Sequence, residues 1–172
     1  MGGTQQKLLA IFGILLVGGV MLLTEEPSIE DHEPTTTLAF DTNNVDYIHI
    51  DSSEGQLRAT RSQDGIWTIE APFAALGSQV RFEEMINELN SLMTMEPFTT
   101  TDYEQFGLMP PRTSVLVSQH GLPPVMVQFG DSTPVGDNRY LRIDDGPVFV
   151  ALGGINQSIE RPFATYPADV AD

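Results

Sequence analysis

VDYIHIDSSEGQLRATRSQDGIWTIEA, residues 45–71, is the stretch that decides the character of this chain. Residues 45–50, 57–61 and 66–71 read as three short strands. Ser52-Ser53-Glu54-Gly55 and Gln63-Asp64-Gly65 separate them. The Asp64-Gly65 pair is a hairpin signal, because the tight turns that match strand twist need positive φ at their centre. In the third strand Trp67, Ile69 and Ala71 alternate with Ile66, Thr68 and Glu70, so one face carries the ring and the aliphatics. Trp67 reads as a core anchor rather than a ligand platform.

Downstream the pattern changes period. Ser78 is placed to cap a helix over residues 79–93. Phe82, Met85, Ile86, Leu89, Leu92 and Met93 recur at three- and four-residue spacing and form one apolar stripe. Glu83 and Glu84 lie in its early turns, where the helix dipole favours acids. Residues 98–111 form a connector that Gly107 and the Pro110-Pro111 pair keep from continuing as helix. Residues 113–118, 125–129, 139–143 and 148–152 then read as four strands of an antiparallel meander. The Asp144-Asp145-Gly146 triplet is a hairpin turn rather than a carboxylate pair for glycoside chemistry. The expected fold class is therefore α+β. A small antiparallel-sheet domain with one main helix, in the order β-β-β-α-β-β-β-β, occupies residues 38–155, and an irregular tail covers 156–172.

Ahead of this domain lies a different kind of segment. Residues 8–23, LLAIFGILLVGGVMLL, are sixteen consecutive apolar residues. As a helix they span about 24 Å at 1.5 Å per residue. A bilayer core of about 30 Å usually takes ~20 apolar residues. Thr24 and a snorkelling Lys7 extend the stretch enough to cross. The expectation is a cytoplasmic N-terminus at 1–7 and a single-pass transmembrane helix at 8–24. No small-x-small cleavage site follows the run, which favours a retained anchor over a cleaved signal peptide. Leu8, Phe12, Gly13, Leu16, Gly18, Gly19 and Leu23 are the candidate membrane-contact and helix-packing residues, the glycines because small side chains let helices approach closely in lipid. After Lys7 no basic residue occurs until Arg58, so the bulk of the chain is expected on the far, periplasmic side of a bacterial inner membrane. Residues 25–37 contain two prolines and five acids, a linker composition.

Charge removes several function classes. The 172-residue chain carries 8 basic and 24 acidic residues, a formal net charge of −16. That argues against nucleic-acid binding, where a basic footprint must replace phosphate counterions. It disfavours close contact with an anionic bilayer surface as well. The absence of cysteine removes disulfides, zinc–thiolate sites and thiol catalysis together. His32, His49 and His120 show no metal-ligand spacing, and no Gly-x-Ser-x-Gly nucleophile turn occurs. No catalytic residue, cofactor or metal is expected. Arg139, Tyr140 and Arg142 form the densest basic–aromatic group; cross-strand salt bridges and packing are the favoured reading, and a polar contact to an acidic partner surface is the functional one.

Three phrases, GIWTIEAP at 65–72, FGLMP at 106–110 and FGDSTPVGDNRYLR at 129–142 leading into GPVFV at 146–150, together resemble a domain family of unknown function. That family is found beside ABC-type transporter and gliding-motility auxiliary proteins. The resemblance rests on Trp67, Pro72, Phe106, Gly107, Leu108, Gly130 and Tyr140. It implies an N-terminal membrane anchor and an extracytoplasmic α+β domain, and it carries over no catalytic residues. The expected role is a non-enzymatic accessory subunit that braces or covers a larger integral membrane-protein complex. The alternatives are a binding module of an ABC-type transport or gliding-motility system and, less favoured, an anchored hydrolase.

Overall fold

The computed structural model describes residues 34–154 and 157–168. The residue 45–71 stretch builds three adjacent strands: β2 (Val45–Ser52), β3 (Gly55–Arg61) and β4 (Trp67–Ala71). Leu57 and Ala59 of β3 and Trp67 and Ile69 of β4 are buried, as period-two alternation requires. In β2 the buried residues are Val45, Ile48 and Ile50, and a register shift between Val45 and Tyr47 brings Val45 onto the inner face. Later come β7 (Thr113–Gln119), β8 (Val125–Ser132), β9 (Arg139–Ile143) and β10 (Val148–Ala151). Three two-residue strands complete the set: β1 (Thr35–Thr36), β5 (Ala75–Leu76) and β6 (Met93–Thr94). All pair antiparallel in one sheet of order β1-β6-β10-β9-β8-β7-β2-β3-β4-β5.

This corrects the expected fold class. In place of an α+β domain with seven strands behind a transmembrane helix, the described chain is mostly one ten-stranded antiparallel sheet with few helical residues. No helix among the described residues is long and apolar enough to cross a membrane. Residues 8–24, with the packing residues Leu8, Phe12, Gly13, Leu16, Gly18, Gly19 and Leu23, lie outside the described residues, as does His32. The three added strands have a common reason. Each is two residues long, too short for alternation to show, and each forms only because a neighbouring strand offers its free edge. Thr94 is the clearest case: its hydroxyl bonds the Thr37 hydroxyl at 2.7 Å and donates to the Thr35 carbonyl at 3.3 Å, tying β1 to β6.

Helix α1 (Gln79–Ser91) lays Phe82, Met85, Ile86 and Leu89 into the core formed by the inner face of the sheet. It ends earlier than the apolar stripe. Leu92 turns to ψ 117°, and Met93 becomes an exposed strand residue rather than part of the helix face. Glu83 and Glu84 fall beyond the first turn, which contains no acid. Ser78 occupies the cap position without a side-chain bond; its carbonyl accepts from Phe82 N and its N–H donates to the Tyr166 carbonyl. Two single-turn helices follow β10, α2 (Gln157–Glu160) and α3 (Pro162–Thr165). They carry Ile159 and Tyr166 into the same core. Trp67, Phe82 and Tyr166 stack in series, with ring centroids 4.3 and 4.7 Å apart. Beyond α3 the chain joins the sheet edge at β5: Gly77 bridges Pro167, and Ala168 N donates to the Leu76 carbonyl.

The opposite face of the sheet carries its own small apolar group. The connector after β6 crosses it, bridging Phe98 to Val148, and includes a 3-10 turn at Glu104–Phe106 closed by Gly107 at φ 65°. Leu108 and Val148 are buried there, apart from the main core.

Candidate functional site

Sheet order gathers one polar cleft from segments far apart in sequence. Ser52 ends β2 and pairs with Thr113 at the start of β7; Thr113 pairs with Phe129 of β8; Ser132 of β8 pairs with Arg139 at the start of β9. Four adjacent strands thus bring one end of each to a single place. A register shift between Phe129 and Ser132 lets Gly130 and Asp131 bulge out of the ladder there. The end of α2 closes the cleft with Glu160 and Arg161. The cavity is about 370 Å³ and open to solvent, and it takes Ser52, Arg112, Asp131, Arg139, Glu160 and Arg161 among its walls.

The side chains are held in pairs. Arg112 Nε donates to Asp131 Oδ1 at 2.6 Å. That hydrogen bond, reinforced by the carboxylate's charge, pushes the Arg112 guanidinium further above its already high pKa, so it is a permanent cation. Arg139 Nη2 donates to Glu160 Oε1, also at 2.6 Å, with the arginine side chain 23% exposed. Ser52 Oγ donates to the Glu160 carbonyl at 2.7 Å, so Glu160 is fastened to β2 by its backbone and to β9 by its carboxylate. Arg161 lines the cleft without an ion pair among the described residues.

The sequence group Arg139, Tyr140 and Arg142 is split by the pleat. Arg139 faces the cleft. Tyr140 packs edge-on against Phe106 at 4.7 Å, and Phe106 meets Phe98 at 5.3 Å. The Arg142 guanidinium lies over the Tyr103 ring at 4.2 Å and bonds the Gly146 carbonyl and Asp145. Tyr140 and Arg142 therefore belong to the packing under the connector, and only Arg139 belongs to the cleft.

The residues that carry the family resemblance fall into two clusters. Trp67 is buried against Phe82, and Pro72 follows β4. At the other cluster the Phe106-Gly107-Leu108 turn presses on Gly130. A Cβ on Gly130 would overlap the Phe106 carbonyl oxygen, and one on Gly107 would lie 2.6 Å from the Asp131 carboxyl carbon. This turn thereby backs the bulge that presents Asp131 to the cleft. The chain matches no family model, no curated protein and no solved structure.

The remaining candidates do not converge. His49 sits on β2, while His120 is 89% exposed in the turn after β7, 3.9 Å from Asp46. Asp144 and Asp145 form the β9–β10 turn, with Asp144 at φ 48° and its carboxylate accepting from Met126 N. Among the described residues no group of three or more acids and histidines is arranged to hold a metal. Sequence reasoning named Arg139 but missed Arg112, Asp131, Glu160 and Arg161. The only signal was scarcity: the chain has eight basic residues against 24 acidic ones, and three of the eight, Arg112, Arg139 and Arg161, meet here.

Proposed function

We propose that this protein is a non-enzymatic accessory subunit, held at a bacterial inner membrane by its apolar run, with its sheet domain on the periplasmic side bracing or covering a larger integral membrane-protein complex. The observation that carries this reading is residues 8–23, sixteen apolar residues with Lys7 before them and no further basic residue until Arg58. The domain supports it in two ways. Its ten-stranded sheet and aromatic stack make a stiff body suited to bracing. Phe73, Leu76 and Val80, all within one stretch of eight residues, are each more than half exposed and leave apolar side chains within reach of a partner.

Membrane fractionation followed by cross-linking tests the proposal. The full chain stays with the membrane through high salt and alkaline carbonate, and a variant lacking residues 1–24 is released. In mild detergent the full chain co-migrates with at least one integral membrane protein. A detergent extract holding it only as a free monomer would sink the idea. A reporter fused after Asp172 that is active only in the cytoplasm would reverse the orientation.

A further inference from the structure

We propose that the cleft walled by Arg112, Arg139 and Arg161 is a binding site for a small oxyanion, a carboxylate or a phosphate monoester. This goes beyond the accessory role and does not depend on it.

Charge distribution is the first ground. The chain has 24 acidic and 8 basic residues, yet three of those eight line one cavity. The same walls carry three acids, Glu54, Asp131 and Glu160, so what the cleft offers an anion is a gathering of guanidinium donors rather than net positive charge. The cavity, at about 370 Å³, falls within the usual range for small-ligand sites of roughly 300–1,000 Å³.

Donor arithmetic is the second ground. Each guanidinium offers five N–H groups in a planar fork that matches carboxylate and phosphate oxygens. Arg112 spends its Nε on Asp131, and Arg139 one Nη on Glu160. These bonds leave further donors on both, and they fix the two forks in place, so less side-chain freedom is lost when a ligand arrives. Arg161, free of ion pairs among the described residues, keeps its whole fork of donors open to a ligand.

The third ground is chemical precedent inside the cleft itself. The Glu160 carboxylate is an oxyanion bound to Arg139 at 2.6 Å, a built-in example of the group the cleft accepts. Ser52 holds the Glu160 backbone, so that carboxylate is positioned rather than wandering. Glu54, on the β2–β3 turn, is the third acid on the walls beside Asp131 and Glu160, and it opposes a ligand. It has no ion pair among the described residues.

The test is an NMR titration of the full chain in detergent micelles, following the arginine Nε–Hε signals. The probes are inorganic phosphate and acetate, each matched by sodium chloride at equal ionic strength. The expected result is movement of the Arg112, Arg139 and Arg161 signals with phosphate, acetate or both, saturating near a Kd of about 1 mM. Arg58, Arg61 and Arg81 stay in place. Phosphate acting alone assigns the site to phosphate monoesters, and acetate acting alone to carboxylates. Arg161→Gln, at an exposed position, weakens binding about tenfold, while Glu54→Gln strengthens it several-fold. The proposal is overturned if neither probe moves the three signals, if chloride moves them equally, or if all the arginines shift together. It is overturned too if both substitutions change affinity in the same direction.

Discussion

Gly130 shows how much one residue without a side chain can decide. It sits where the Phe106 carbonyl comes down on the β8 bulge, and any Cβ would overlap that oxygen. Neither partner yields easily: Phe106 ends a 3-10 turn closed by Gly107 at φ 65°, and Gly130 follows a strand residue paired with both neighbours. Gly130→Ala is expected to cost about 3 kcal/mol or more, read as a fall in the urea midpoint at unchanged slope. A loss under about 0.5 kcal/mol would show that the turn and the bulge move apart freely. Tyr166 gives a pH effect at the same scale. Burial, the main cause, raises its phenol well above the ordinary 10.0. Below pH 10 both the folded and unfolded chains keep the proton. As pH rises past 10 the unfolded chain ionises and the folded one does not, so stability falls. The slope from this group approaches ~1.4 kcal/mol per pH unit. Urea unfolding at several values between pH 9 and 11 checks it. Tyr166→Phe should flatten the slope, and an identical slope in the variant would count against the assignment.

At the scale of elements, α1 separates what a helix needs from what its sequence displays. Its stability comes from one face: Phe82, Met85, Ile86 and Leu89 are each buried among sheet residues. Leu89→Ala should therefore cost about 3 kcal/mol, the usual price of a buried leucine truncated in a close-packed core. Ser78, by contrast, makes no side-chain cap bond, and its backbone is held by Phe82 and Tyr166. Ser78→Ala is expected to change stability by under about 0.5 kcal/mol, where a working cap would lose about 1. Thermal or urea melts of the two variants decide this, and a Ser78→Ala loss comparable to that of Leu89→Ala would contradict the cap geometry. The early end of α1 follows from the same balance. Met93 continues the apolar spacing, but Met93–Thr94 gains more by pairing with β1 and β10 than by adding a helical turn.

For the molecule as a whole, the C-terminal residues are part of the core. Ile159 and Tyr166 fill it, Glu160 is tied to β2 and β9, and Ala168 pairs with the sheet edge. Removing residues 155–172 should leave a domain that no longer unfolds in one cooperative step. Trp67, the single tryptophan, reports this directly, because it is buried against Phe82. In the truncated chain its emission should shift to the red in the absence of denaturant. Emission and a melting curve matching those of the full domain would show that the tail is dispensable.

The alternation in residues 45–71 was readable because a strand shows its two faces every second residue, whatever surrounds it. The same holds for the apolar stripe of α1, for the Asp144-Asp145-Gly146 turn, and for the charge balance that speaks against nucleic acid. These are local or compositional properties. Sheet order is not. That ten strands form one sheet, that two-residue strands extend its edges, and that Arg139 parts company with Tyr140 and Arg142 all depend on which chain segments lie side by side. The cleft is the sharpest instance. Arg112, Asp131, Arg139, Glu160 and Arg161 carry no shared motif, and they meet only because β2, β7, β8 and β9 are neighbours and α2 folds back over their ends. Sequence by itself determined the periods and the charge; long-range strand pairing, whose register no local signal encodes, decided where those charges meet.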